Sequence, residues 1–185
     1  LHQDMFVKSL RSTFVTAAKV NYVINQLREI DYSVFYREAL YYDAEKNIEK
    51  EYIQKEVFPD IILLPTAGIN GVMWQEISGK KRDTSGRFLL PCFAEVELED
   101  MLIKVFGRFH WELCRSIQGT AWNNIKYKSL TSEYVDYIQF YKKNRDLSPE
   151  TKERIKSQIQ KGKSNSREIF VIDYVNWIKN ESKGA

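Results

Sequence analysis

The hydrophobic pattern is strongest over residues 95–118, where apolar side chains cover most of a helical circumference. Acidic residues occupy the N-terminal end of this stretch and Gly119 follows it, as expected at the two ends of a helix. The pattern therefore predicts a buried central helix over 95–118 that neighbouring elements surround. Its polar residues leave one narrow stripe, at steps of four, four, four and three: Asp100, Lys104, Arg108, Glu112 and Arg115.

Residues 1–58 carry apolar positions at helical spacing in two successive segments. The first segment covers residues 5–30, and the second covers residues 34–57 and ends before Pro59. Because only a very short turn separates them, the sequence predicts an antiparallel helical hairpin.

Residues 61–94 break this helical rhythm. Three short apolar runs, 61–64, 72–77 and 88–93, are separated by glycines, which is typical of short strands and turns. The sequence therefore predicts a small β-hairpin or an extended insertion over 61–94.

Three shorter helices are predicted after the central one. Thr131 or Ser132 caps the first, Ser148 starts the second and Asn165 starts the third. Together these patterns predict a mainly α, single-domain bundle of about six helices around the buried central helix, with a helical core over 95–185.

Composition narrows the class of protein. Aromatic residues make up 14% of the chain, with 11 Tyr, 10 Phe and 4 Trp, which is typical of a bulky core or an adhesive surface. Cys92 and Cys114 each lie in an apolar run, as expected for reduced thiols. The chain begins at Leu1, shows no export signal and has no apolar run of membrane length. We therefore expect a cytoplasmic part of a longer chain with no membrane partner.

Catalytic chemistry has one candidate pair in the sequence. His110 and Cys114 are one helical turn apart and share a face, so they could act as base and nucleophile. Their helix is the most apolar one, however, and burial makes a thiol inert, so a buried, hydrogen-bonded histidine is the favoured interpretation. The only other histidine is His2, so no zinc-binding helix pair exists. We predict no catalytic residues, no metal and no cofactor, and the sequence favours a protein that is not an enzyme.

Two basic segments could bind anions. Residues 78–87 combine glycines, hydroxyls and cations, although without the spacing of a P-loop. The anion-binding candidates there are Lys80, Lys81, Arg82, Thr84, Ser85 and Arg87. Residues 142–163 hold eight bases against three acids. The nucleic-acid-binding candidates in that segment are Lys142, Lys143, Arg145, Lys152 and Lys156. Solvated surface segments are the favoured explanation of both patterns.

The favoured function is a non-enzymatic regulatory or scaffold domain of a larger intracellular protein. It would act through contacts with other domains of its own chain, with a protein partner or with a second copy as a homodimer. The alternative is a nucleic-acid or phospholigand-binding domain that uses the basic segments 78–87 and 142–163. Nucleic acid is not favoured, because the formal net charge is only +3.

Overall fold

The structure is a computed structural model that describes residues 13–43, 48–74, 85–143, 147–163 and 165–182. Within these ranges, side chains are described outside 37–55, 117–119 and 141–143. The described helices are α1 (Ala17–Ile30), α2 (Leu98–Gln118), α3 (Leu130–Lys143), α4 (Pro149–Lys161) and α5 (Ser166–Asn176). The described strands are β1 (Tyr36–Asp43), β2 (Ile48–Glu56), β3 (Asp60–Gly68), β4 (Val72–Trp74) and β5 (Arg87–Ala94). Short 3₁₀ turns cover Tyr32–Phe35 and Gly119–Ala121, and a π-helical turn over Trp177–Glu181 follows α5.

The predicted six-helix bundle is wrong, because the fold is mixed α/β although mainly helical. The predicted helix over 34–57 is instead an antiparallel pair of strands, β1 and β2, with Tyr36 opposite Glu56 and Leu40 opposite Tyr52. The helical apolar seam in this segment was narrow, whereas its tyrosines and isoleucines favour cross-strand pairing. Helix propensity is a weak preference that such tertiary pairing overrides.

The predicted helix over 5–30 is confirmed only from Ala17 onward, and residues 1–12 lie outside the described part. Thr16 caps α1 by accepting a hydrogen bond from the Lys19 amide at 3.2 Å. The residues before it are extended, since the Val15 amide donates to the Cys92 carbonyl at 2.8 Å. Sheet pairing thus replaces the predicted helix at residues 13–15, and the predicted helical hairpin over 1–58 does not form.

The predicted β-hairpin or extended insertion over 61–94 is a three-stranded mixed sheet in the order β3-β5-β4. Strand β3 is parallel to β5, and β4 is antiparallel to it. The inward face of β5 carries Phe88 and Leu90, both fully buried, and the Phe88 ring lies 5.4 Å from that of Phe106 in α2. The sheet therefore forms one wall around the central helix.

Helix α2 confirms the predicted central helix, starting at Leu98. Phe106 is fully buried, and the Phe35 ring approaches it at 5.2 Å. On the opposite side α2 packs against α5, where a Cβ at Gly107 would lie only 3.1 Å from Tyr174. A glycine there allows the two helices to approach closely. Both cysteines are free thiols, although Cys114 is only half-buried.

The three predicted C-terminal helices are present. Ser148 caps α4 by accepting from the Thr151 amide at 3.2 Å, and Asn165 caps α5 by accepting from the Arg167 amide at 3.0 Å. At the start of α3, the side chain of buried Thr131 donates to a backbone carbonyl at 2.6 Å. No helix in the described ranges has both the length and the apolar character needed to cross a membrane.

Candidate functional site

A pocket of about 470 Å³ lies where α5 and its π-helical turn meet α2, α3 and the end of α1. We call it the acidic pocket. Its lining includes three carboxylates, one imidazole and four aromatic rings. Convergent polar groups in a pocket of this size are typical of a binding site. The charged residues of the lining are Asp31, His110, Asp173 and Glu181.

Asp31 ends α1 and is 5% exposed. One carboxylate oxygen accepts from the Ser33 hydroxyl at 2.6 Å, and the other accepts from the Tyr174 hydroxyl at 2.7 Å. Burial raises the pKa of Asp31, but interactions with His110, Ser33 and Tyr174 lower it below its ordinary value. The carboxylate is therefore ionised and held in place from several sides.

His110 lies beside this carboxylate on α2. Its Nδ1 atom is 3.7 Å from Asp31 Oδ2, which is longer than a hydrogen bond. Nδ1 is buried and has no hydrogen-bond partner within the described structure. Burial lowers the pKa of His110, but Asp31 and Cys114 raise it, to about 9. The predicted buried, hydrogen-bonded histidine is thus only half-buried, and at neutral pH it carries a positive charge.

The other two carboxylates of the pocket, Asp173 and Glu181, have no cation beside them in the described structure. Asp173 accepts hydrogen bonds from the Tyr134 hydroxyl at 3.0 Å and from the Gln158 amide. Burial raises the pKa of Asp173, and so does the negative charge of Glu181, although the two hydrogen bonds lower it. Neither Asp173 nor Glu181 forms an ion pair with another residue that the structure describes. Like charges therefore face each other in the pocket without neutralisation.

Aromatic rings surround these carboxylates. Tyr134, Phe170 and Tyr174 form a chain of contacts with centroid distances of 5.4 and 5.8 Å. Trp177 continues it at 5.9 Å from Tyr174 and is 37% exposed. The pocket therefore joins uncompensated negative charge to aromatic faces, a combination that attracts organic cations.

The residues of the predicted anion-binding loop are mostly untested by the structure. Ser85 is half-buried just before β5, and Arg87 is the first residue of β5, in register with Asp60 and Trp74. The other four predicted residues lie outside the described ranges: Lys80, Lys81, Arg82 and Thr84.

The predicted nucleic-acid residues are only partly described. Lys152 and Lys156 lie one turn apart on α4, so they share a face. Lys142 and Lys143 end α3 with side chains outside the described set, and Arg145 is outside it entirely. The described structure therefore brings two of the five together.

The sequence analysis missed most of the acidic pocket. Asp31, Tyr134 and Tyr174 were not among the predicted site residues. The available signal was Asp173, a carboxylate within an apolar helix. Glu112, close to His110 in sequence, is not part of the pocket and pairs with Arg115 at 2.9 Å. Within the described ranges, no group of three His, Cys, Asp or Glu side chains could hold a metal ion.

Residues 119–185 match the family model of a domain of unknown function, DUF8509. No curated protein and no solved structure shows a significant similarity to the chain. The matched segment includes α3, α4 and α5, which supply Tyr134, Asp173 and Tyr174 to the acidic pocket. Asp31 and His110 come from outside it.

Proposed function

We propose that this chain is a non-enzymatic recognition domain that binds a basic side chain of a partner protein, or of another domain, in the acidic pocket. The observation that carries the proposal is the pair of carboxylates, Asp173 and Glu181, that lacks a cation in the described structure. One protonated imidazole against three carboxylates leaves a local charge of −2 in the lining. A bound cation would relieve this repulsion.

The aromatic rings support an organic cation as the ligand. A lysine ammonium or an arginine guanidinium gains from contact with the face of an aromatic ring, whereas a small metal ion would need more oxygen ligands than converge here. Trp177 is partly exposed and Tyr174 is buried, so a long side chain entering past Trp177 would meet both apolar and negative surfaces.

The residues that line the pocket favour binding over catalysis, because a hydrogen-bonded carboxylate and tyrosines recognise charge and need no reaction. We place the domain in the cytoplasm in this proposal, and the free thiols of Cys92 and Cys114 support a reducing compartment. The partner that supplies the basic side chain would determine whether the domain acts as a regulator or as a scaffold.

The test uses N-acetyl-lysine methylamide and N-acetyl-arginine methylamide as probes, with N-acetyl-norleucine methylamide as the neutral match. Binding is followed through the indole N–H signal of Trp177 in NMR spectra, assigned with Trp177→Phe. We expect the two cationic probes to shift this signal at millimolar concentration and the neutral probe to leave it in place. Equal shifts with norleucine would contradict recognition of charge.

Two variants separate the pocket from a general electrostatic effect. Asp173→Asn and Glu181→Gln should each weaken binding of the cationic probes about fivefold or more, corresponding to about 1 kcal/mol. Glu150→Gln is the control, because Glu150 is exposed on α4 and does not line the pocket. Unchanged affinity in both pocket variants would overturn the proposal.

A further inference from the structure

A second pocket, of about 440 Å³, lies between α2, α5 and the turn that joins α4 to α5. We call it the basic pocket. Its charged lining residues are Lys104, Arg108, Lys161, Lys163 and Glu168. Four cations against one carboxylate leave a local charge of +3, so this pocket has the opposite sign to the acidic one.

The Glu168 carboxylate, which lines the basic pocket, already forms an ion pair within the chain. Arg108 donates to both oxygens of Glu168, with Nη2 at 3.0 Å and Nε at 3.3 Å. Burial raises the pKa of Glu168, but the interactions with Arg108 and Arg167 lower it below its ordinary value. This ion pair fixes one wall of the pocket and leaves the other cations without a carboxylate.

Three lysines remain. Lys104, Lys161 and Lys163 are exposed, and none forms an ion pair with another residue in the described part of the chain. They come from α2, from the last residue of α4 and from the turn after it, and they line the same cavity. A lysine ammonium is a strong point-charge partner for a phosphate oxygen.

The backbone of the turn supplies an independent observation. Lys163 has φ 50°, the left-handed region that disfavours residues with a Cβ, while the adjacent Gly162 has φ −79°. Gly162 instead leaves room for a close neighbour, because a Cβ at this position would lie 2.5 Å from Ile169 Cγ1. Lys163 thus takes the left-handed conformation that commonly ends a helix, and this turn places its backbone beside the pocket.

Apart from Asn70 and Gly162, the remaining lining is apolar, with Val171, Ile172 and Val175 of α5 along one side. We propose that the basic pocket binds a small molecule that carries one or two phosphate groups on an apolar body. The phosphate lies against the three lysines, and the apolar body covers the valine side. This site is separate from the proposed site for a basic side chain, and either can fail without the other.

The test is calorimetric titration at low salt with phenyl phosphate, pyrophosphate and inorganic phosphate. Phenyl phosphate should bind more tightly than inorganic phosphate, because its ring covers Val171 and Val175. The double variant Lys104→Gln with Lys161→Gln should weaken phenyl phosphate binding about tenfold or more. Lys156→Gln is the control, because Lys156 is exposed but does not line the pocket, and its affinity should match that of the unmodified chain.

Lys163→Gly separates function from folding. Glycine relieves the positive φ, so the thermal midpoint should stay the same or rise while phenyl phosphate affinity falls about threefold or more. No phenyl phosphate binding at low salt, or unchanged affinity in the double lysine variant, would overturn the proposal. So would binding of a short single-stranded oligonucleotide that Lys104→Gln with Lys161→Gln weakens and phenyl phosphate does not displace, since that is a nucleic-acid surface.

Discussion

Two pockets of similar volume, about 470 and 440 Å³, lie on two sides of α5 and differ in sign. Residues 170, 173, 174 and 177 face the acidic pocket, whereas residues 168, 171, 172 and 175 face the basic one. Both sets recur at steps of three, one and three, so α5 and the turn after it present different faces to the two pockets. The opposite signs come from the surrounding elements, because the cations of the basic pocket lie on α2, at the end of α4 and in the turn that follows it.

The two pockets are held in different ways. In the acidic pocket, Asp31 and Asp173 are fixed by hydrogen bonds from tyrosines on other elements. In the basic pocket, the charges that lack partners in the described structure are exposed lysines on flexible stems. Packing at Gly162 shapes the end of α4 and the turn after it, which carry Lys161 and Lys163. We conclude that the acidic pocket contributes to the stability of the fold. The shape of the basic pocket depends in turn on a fold that is already formed.

The largest expected effect is at Asp31. Asp31→Ala removes the acceptor for Tyr174 and Ser33 and leaves the His110 charge half-buried without its counterion. We expect a loss of about 3–5 kcal/mol in the free energy of unfolding, as is usual when one member of a buried charge pair is removed. Urea denaturation followed by circular dichroism measures it.

The matched variant is Lys104→Ala in the basic pocket. Lys104 is exposed and has no ion-pair partner among the described residues, so its removal should change the free energy of unfolding by no more than about 0.5 kcal/mol. Equal losses at Asp31 and Lys104 would remove the distinction between the two pockets.

We expect pH to have a smaller effect on the free energy of unfolding. Between pH 6.5 and 9, this effect comes from the titration of His110 in the acidic pocket. The pKa of His110 rises from 6.5 to about 9 on folding, so the folded chain binds the proton more tightly. The stabilisation is complete below about pH 6.5 and disappears as the pH rises through about 9. We expect a loss of at most about 3 kcal/mol across this window, measured from urea midpoints.

His110→Gln tests the origin of this pH dependence. The variant has no titrating imidazole, so its free energy of unfolding should be nearly constant from pH 6.5 to 9. The same slope in the variant and in the unmodified chain would show that another group titrates.

Where local signals dominate, the fold could be predicted from the sequence. The caps at Ser148 and Asn165 act over three residues, and the apolar circumference of residues 98–118 repeats over almost six turns. These signals need no knowledge of distant residues, and the corresponding helices were predicted with nearly correct limits.

The rest of the fold depends on pairing between distant residues. The Val15 amide pairs with Cys92, and β1 pairs with β2 in a segment whose apolar spacing also fits a helix. The acidic pocket has the same origin, since Tyr174 donates to Asp31 across 143 positions of sequence. A single sequence contains no signal for such contacts, which is why the helical hairpin was wrong and the pocket was missed.

A further effect, expected to be smaller than those at Asp31 and His110, concerns the packing that shapes the basic pocket. Gly162→Ala places a Cβ 2.5 Å from Ile169 Cγ1 and 3.2 Å from the Ile169 backbone nitrogen, and Ile169 is fully buried. Because backbone cannot move aside as a side chain does, we expect a loss of about 1–3 kcal/mol in the free energy of unfolding. Gly68→Ala is the control, since its Cβ would meet nothing closer than Pro91 at 4.0 Å. If Gly162→Ala is as stable as Gly68→Ala, the turn is free to shift, and the positions of Lys161 and Lys163 are not set by this contact.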